Sequence, residues 1–159
     1  MPSTRITITA VGKLREPYWV EACEEYLTRL VRYAEVRIEE ISDRGSWDSD
    51  DPRQALQREG ELIAARLKGG ELLVALDRTG RSFTSEEIAA LIGDRQIRGQ
   101  AQIRFLIGGS HGLDSALLKR ADARMSFGAI TLPHQLARVV ALEQIYRAFK
   151  ILAGEPYHK

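Results

Sequence analysis

Three stretches of this sequence carry residue types that bind ligands or move protons. The first, Ile107-Gly108-Gly109-Ser110-His111-Gly112-Leu113, is a glycine-rich turn that could admit a ligand to the backbone and to the amides opening a helix. Its G-G-x-x-G spacing is neither the dinucleotide G-x-G-x-x-G nor a Walker loop, and no Lys-Ser/Thr follows. A tight strand-to-helix turn explains the same glycines equally well, with His111 as a solvated loop residue. The second, Ser126-Phe127-Gly128-Ala129-Ile130-Thr131-Leu132-Pro133-His134, is small and apolar, so its polar groups are mainly backbone. It suits an adenine-like ring held by main-chain hydrogen bonds, or a plain connector. The third is the C-terminal tail, where Tyr157-His158-Lys159 joins a ring able to stack on a base, a titratable imidazole and a cation.

The elements that must position these stretches alternate. Arg5 to Val11 alternates and is β-branched, a strand ending at Gly12. Pro17 opens a helix with the stripe Tyr18, Trp19, Ala22, Cys23, Tyr26, Leu27 and Leu30. Val36 to Ile41 reads as an edge strand, Ser42 to Pro52 as a polar loop, and Asp51 to Lys68 as a helix stopped by Gly69-Gly70. Glu71 to Leu76 and Ile103 to Ile107 are short apolar runs, the pattern of strands buried on both faces. Thr84 and Glu87 form a capping box. A brief helix over 114–121, a brief strand over 123–127 and a long helix over 134–153 follow. The expected fold is α/β, a mostly parallel sheet in one domain with helices on both faces. Ligands bind such sheets beyond the carboxyl ends of the strands, here after Leu76, Ile107 and Phe127.

The helix over 134–153 has only seven strongly polar residues in twenty, and its apolar positions cover more than one face. Glu143 and Arg147 are spaced for an i,i+4 ion pair. The second apolar face is expected to pack against another subunit in a two-fold dimer. The tail, short and polar, is expected to fray and add nothing to the core.

Composition bounds what such residues can do. At 159 residues, with 44% hydrophobic and 28% charged residues, the chain is long enough for a core without metals or disulfides. No run of 18 apolar residues could span a membrane, and no apolar segment near the start resembles a signal peptide. The single Cys23 excludes a cysteine-rich zinc site, so no metal is expected and a reducing, cytoplasmic setting fits. The net charge of +1 argues against gathering nucleic acid by bulk electrostatics. Residues 1–70 carry a net −2 and residues 71–159 a net +3, so an anionic partner should meet the C-terminal half.

The runs Thr131-Leu132-Pro133-His134-Gln135-Leu136-Ala137-Arg138-Val139 and Glu143-Gln144-Ile145-Tyr146-Arg147-Ala148-Phe149-Lys150-Ile151, and the ending Gly154-Glu155-Pro156-Tyr157-His158-Lys159, closely resemble the RlmH family. Val11-Gly12-Lys13-Leu14-Arg15-Glu16-Pro17-Tyr18-Trp19 and Ile107-Gly108-Gly109 look like it too. These are SPOUT-class methyltransferases acting on N3 of a pseudouridine in large-subunit (23S) ribosomal RNA. The resemblance spans essentially the whole chain and departs at two places. Gly128-Ala129-Ile130 stands where members often show Ser-Lys-Met, and His111 where Glu or Asn is usual. It implies a C-terminal trefoil knot, which periodicity does not show and the general rule opposes. It also implies S-adenosylmethionine held by Leu76, Gly108, Phe127, Gly128, Ala129, Ile130, Thr131 and Leu132, mainly through backbone groups in 127–132. Arg138 and His158 are its catalytic candidates, since the one can stabilise a uracil-like anion and the other can accept a proton. His134, Arg138, Tyr157, His158 and Lys159 are its candidates for contacting RNA, on the ribosome.

Overall fold

A computed structural model describes residues 3–43 and 51–159. Five strands, β1 (Arg5–Val11), β2 (Glu35–Ile41), β3 (Leu72–Ser82), β4 (Gln102–Ile107) and β5 (Ala123–Ser126), form one sheet in the order β2-β1-β4-β3-β5. Every neighbouring pair is parallel, so each connection must cross back over the sheet. The crossovers carry α1 (Pro17–Leu30), α2 (Pro52–Ala64), α3 (Ser85–Ile97), α4 (Ser115–Arg120) and, after β5, α5 (His134–Leu152). This is the expected α/β layering.

Side-chain alternation explains the two covered faces. Ile103, Phe105 and Ile107 of β4 join Ile6, Ile8 and Val74 beneath Leu30 of α1, Ile92 of α3, and Leu142 and Phe149 of α5. Leu106 and Leu73 turn the other way and meet Ile63 of α2 and Leu117 of α4. A strand buried on both sides has no polar face to show, hence the continuous apolar run. Arg104 is its one charged member, and it is 1% exposed. Its guanidinium donates to both carboxylate oxygens of Glu71 (2.8 and 2.9 Å), to Glu39 (2.9 Å) and to the Thr9 hydroxyl (2.7 Å). The charge is tolerated there because these acceptors replace its water.

Several boundaries differ from the sequence reading. Strand β3 continues past Leu76 to Ser82. Leu76 and Arg81 both pair with Met125, so residues 77–80 bulge out of the ladder and pairing then resumes. Turn-type residues in 77–80 conceal that resumption from a local reading. Gly80 makes it possible, since a Cβ there would stand 2.5 Å from the Arg124 carbonyl oxygen. Helix α2 stops at Ala64 rather than Lys68, leaving through a tight turn in which the Arg66 and Leu67 amides bond to Ile63 and Ala64. Most of the expected loop from Ser42 to Pro52 lies outside the described residues.

Packing also bears on the second face of α5 and on the tail. Helices α1 and α3 flank α5 on either side, so much of its second apolar face is covered within the chain. The tail does not fray either: half-buried Tyr157 packs edge-on against Tyr146 at 5.0 Å between ring centroids. The Thr84–Glu87 capping box forms as read, as does the Glu143–Arg147 pair at 2.6 Å.

Candidate functional site

Strands β4, β3 and β5 are neighbours, so the loops leaving their carboxyl ends converge. They enclose a cleft of about 150 Å³ against the first turn of α5. Leu76 closes one wall and Gly108 another, while Phe127, Gly128, Ile130, Thr131 and Leu132 form the third. Ala129 is exposed and does not line it. The sequence reading missed Asp77 and Arg78, which enter through the β3 bulge, and also Met125 of β5 and Ala137 of α5. Arg78 donates to the Thr131 hydroxyl at 2.7 Å and so fastens the bulge to the 127–132 segment. Ser126 holds that segment's start, its hydroxyl bonding both the amide (3.1 Å) and the carbonyl (3.0 Å) of Gly128. The result is an apolar slot with backbone polar groups along one side, suited to a planar heterocycle.

The glycine-rich turn closes on itself. The Gly112 amide bonds the Gly109 carbonyl at 3.1 Å, and a Cβ on Gly108 would overlap the Gly112 carbonyl. Helix α4 starts only at Ser115, so its amides do not open onto this turn as they do in a dinucleotide loop. His111 is exposed.

His134 and Arg138 lie one turn apart at the head of α5, with different surroundings. His134 lines the cleft, while its Nδ1 is buried near the Gly12 turn with no hydrogen-bond partner among the described residues. Burial and the nearby Arg138 guanidinium hold its pKa below the ordinary histidine value, against the pull of Asp43 and Glu16. Arg138 is 2% exposed. Its Nη1 donates to Glu40 at 2.7 Å and its Nη2 to the Gly12 carbonyl at 3.0 Å. Glu40 also accepts from the Leu14 amide at 3.2 Å, so Arg138 ties α5 to the loop after β1. A guanidinium held this way is a strut beneath the site rather than a group open to RNA.

The tail lies elsewhere. His158 Nε2 meets Glu86 at 2.7 Å and its Nδ1 meets Arg147 at 3.1 Å. Arginine can only donate, so Nδ1 accepts and Nε2 carries the proton given to Glu86. Docked in this way, His158 has no lone pair left for a general base. The Tyr157 hydroxyl donates to Glu143 at 3.1 Å, while Lys159 is exposed. From His134 to Arg147 is about 20 Å along a helix rising 1.5 Å per residue, so the structure does not bring the tail to the cleft of its own chain.

Fold and cleft define an α/β protein that binds a ligand at the carboxyl ends of parallel strands, and comparison gives the class. The family described as "Predicted SPOUT methyltransferase" matches residues 4–158, and the chain belongs to it. The chain is therefore a methyltransferase. It is similar to proteins named ribosomal RNA large subunit methyltransferase H. One, from Carboxydothermus hydrogenoformans, is 46% identical over 97% of this chain and 99% of its own length. Those from Clostridium novyi and Bifidobacterium adolescentis are each 48% identical, over 97% and 98% of this chain and 99% of their own lengths. Among solved structures, a probable methyltransferase from Bordetella pertussis superposes with a TM-score of 0.59 at 14% identity, covering 92% of this chain and 95% of its own. A probable methylase family protein from Haemophilus influenzae gives 0.52 at 11% identity, over 99% and 71%. These two share the fold. Among the described residues no group of three or more His, Cys, Asp or Glu could hold a metal, and no helix is long and apolar enough to cross a membrane.

Proposed function

We propose that this protein methylates N3 of a pseudouridine in large-subunit ribosomal RNA, working in the cytoplasm on the ribosome with S-adenosylmethionine as donor. The observation that carries this reading is the convergence of the three strand-end loops on one slot in a chain of the SPOUT methyltransferase family. The names of its relatives support the ribosomal substrate. The slot fits the donor: apolar Leu76, Phe127, Ile130 and Leu132 match an adenine ring, and the glycines let backbone groups reach its edge. The donor supplies a sulfonium methyl that is already activated. The protein's own work is then to align N3 with that methyl and let the N3 proton depart. Arg138 positions the head of α5 for this, and neutral His134 stands at the slot's edge. A trefoil knot, in which the C-terminal part of the chain threads through a loop, is part of the same proposal, and the Arg78–Thr131 bond between the β3 bulge and the 127–132 segment is in keeping with it.

The proposal includes a homodimer through α5. Leu136 and Val140, one turn apart, stay partly exposed and belong to neither core cluster, which leaves them to a second copy. A partner's tail could then serve the RNA step that this chain's own tail, about 20 Å along α5, does not reach. Tritiated methyl transfer to ribosomes lacking the modification tests the activity; incorporation at a pseudouridine is expected, and none from the folded protein overturns the reading. Light scattering giving a mass near 17.8 kDa at micromolar concentration would overturn the dimer.

A further inference from the structure

Two residues of opposite charge, Asp77 and Arg78, follow one another in the bulge of β3, and both line the cleft. Burial pushes the Asp77 carboxyl up, but the Arg124 guanidinium and the Thr79 amide and hydroxyl outweigh it and hold it below the ordinary carboxylate value. It is therefore ionised at neutral pH. Arg78 gives its Nη1 to the Thr131 hydroxyl, which carries no charge to neutralise the guanidinium. That bond does not use the Nε–Nη2 edge, where two N–H groups run parallel. Arg104 shows within the same protein what this edge does: its Nε and Nη2 donate to the two oxygens of Glu71 at 2.8 and 2.9 Å.

We propose that Arg78 anchors the α-carboxylate of the methyl donor through its Nε–Nη2 edge, with the Asp77 carboxylate beside it meeting the donor's α-ammonium. The inference rests on the assignment of the cleft to S-adenosylmethionine. That donor has two unlike ends. Its adenine is planar and is matched by an apolar slot with backbone polar groups, here Leu76, Phe127, Ile130 and Leu132. Its methionine end carries a full negative and a full positive charge on one carbon, and each costs free energy to desolvate without a charged partner. Consecutive residues of opposite sign match such a zwitterion. A planar guanidinium also takes both oxygens of a carboxylate, which a single ammonium does not.

The anchor has a fixed seat. The Asp77–Arg124 pair at 2.8 Å pins the base of the bulge, and the Thr131 bond at 2.7 Å holds the tip of Arg78 to the 127–132 segment. A long side chain gives up rotamer freedom when it binds a ligand, and here part of that ordering precedes the ligand. Arg78 is exposed, so water and salt screen the contact and its effect on affinity is about fivefold.

The test is calorimetry on the full-length protein with two ligands, S-adenosylmethionine and its decarboxylated analogue, which keeps the adenosine, the sulfonium and the ammonium. Wild type should bind S-adenosylmethionine about fivefold more tightly than the analogue. In Arg78→Gln, which keeps an N–H donor but loses the charge and the fork, that preference should fall below about twofold, because S-adenosylmethionine weakens and the analogue does not. An equal loss for both ligands would show that Arg78 only holds the 127–132 segment, and no loss for either would show that it is idle; both results overturn the proposal. So does a variant that keeps both affinities and binds ribosomes more weakly, since the guanidinium then serves the RNA backbone. Wild type binding both ligands without preference overturns the anchor alone, whereas wild type binding neither overturns the methyl-donor reading with it. Should Arg78→Gln fail to fold, NMR of wild type decides: the Arg78 Nε–H resonance, identified by its loss in Arg78→Lys, should move with S-adenosylmethionine and stay with the analogue. A resonance that ignores both ligands, or answers both alike, sinks the anchor.

Discussion

The Arg138 guanidinium and the Glu40 carboxylate meet at 2.7 Å, joining the head of α5 to the end of β2 across 98 residues of sequence. The arginine is 2% exposed and the glutamate 38%, so the pair sits at the boundary of the core. Because Arg138 also bonds the Gly12 carbonyl, it sets where His134, one turn earlier, meets the cleft. Arg138→Ala should cost about 2 kcal/mol in urea unfolding, the scale of lost hydrogen bonds to a charged group. With Glu40→Gln added, the losses should fall short of additive, since the two residues share one interaction. The same variant removes a cation that disfavours His134 protonation, so the His134 pKa should rise toward its ordinary value in an NMR titration. An unmoved titration would show that burial alone sets it.

Gly108 tests the turn beside the cleft. The sequence alone suggests that Gly108→Val would block a pocket in an otherwise folded protein. The structure corrects this, because the added Cβ meets the chain's own Gly112 carbonyl. Even Gly108→Ala must shift the Gly108–Gly112 turn and should destabilise by about 1–3 kcal/mol, with weakened S-adenosylmethionine binding. Calorimetry and thermal melts on this variant separate the two effects, and a native melting temperature would refute the clash.

Removing residues 156–159 should lower the melting temperature, against the expectation of a fraying tail. It deletes the Tyr157–Tyr146 edge contact, the Tyr157–Glu143 bond and the His158–Glu86 bond. Together these are worth about 1–2 kcal/mol, or about 2–6 °C for a domain of this size. Methyl transfer to ribosomes should collapse while S-adenosylmethionine affinity holds. Wild-type transfer by the truncated protein would show that the tail serves the fold alone.

Acid should loosen the sheet at Glu71. Burial pushes its pKa up, but the Arg104 guanidinium and the Lys68 amide outweigh burial and leave it below the ordinary carboxylate value. A depressed folded pKa stabilises above the unfolded pKa, and that contribution is lost as pH falls through the carboxylate range toward the folded value. Glu71→Gln should therefore flatten stability against pH on that acid limb and lower it at neutrality. Denaturant midpoints from pH 7 to pH 3 check the slope, and an unchanged slope would mean that another carboxylate controls it.

The sequence by itself determined the elements and the ligand end of the sheet. Ile6, Ile8, Phe105 and Leu106 alternate or run in patterns that only strands covered by helices can bury, and parallel crossovers put loop ends on one side. The family was legible too, because the runs 131–139, 143–151 and 154–159 are specific as side-chain strings. Tertiary structure decided what each group is free to do. Arg138 and a surface arginine look alike in a string of letters; only the approach of Glu40 and Gly12, distant in sequence, makes one of them a buried strut. The same holds for His158, whose partners Glu86 and Arg147 use both ring nitrogens, and for the resumption of β3 at Arg81, which depends on β5 lying alongside. Periodicity reports which side of an element is buried, while hydrogen bonding between distant segments reports what a polar group is bonded to, and local patterns carry no record of the second.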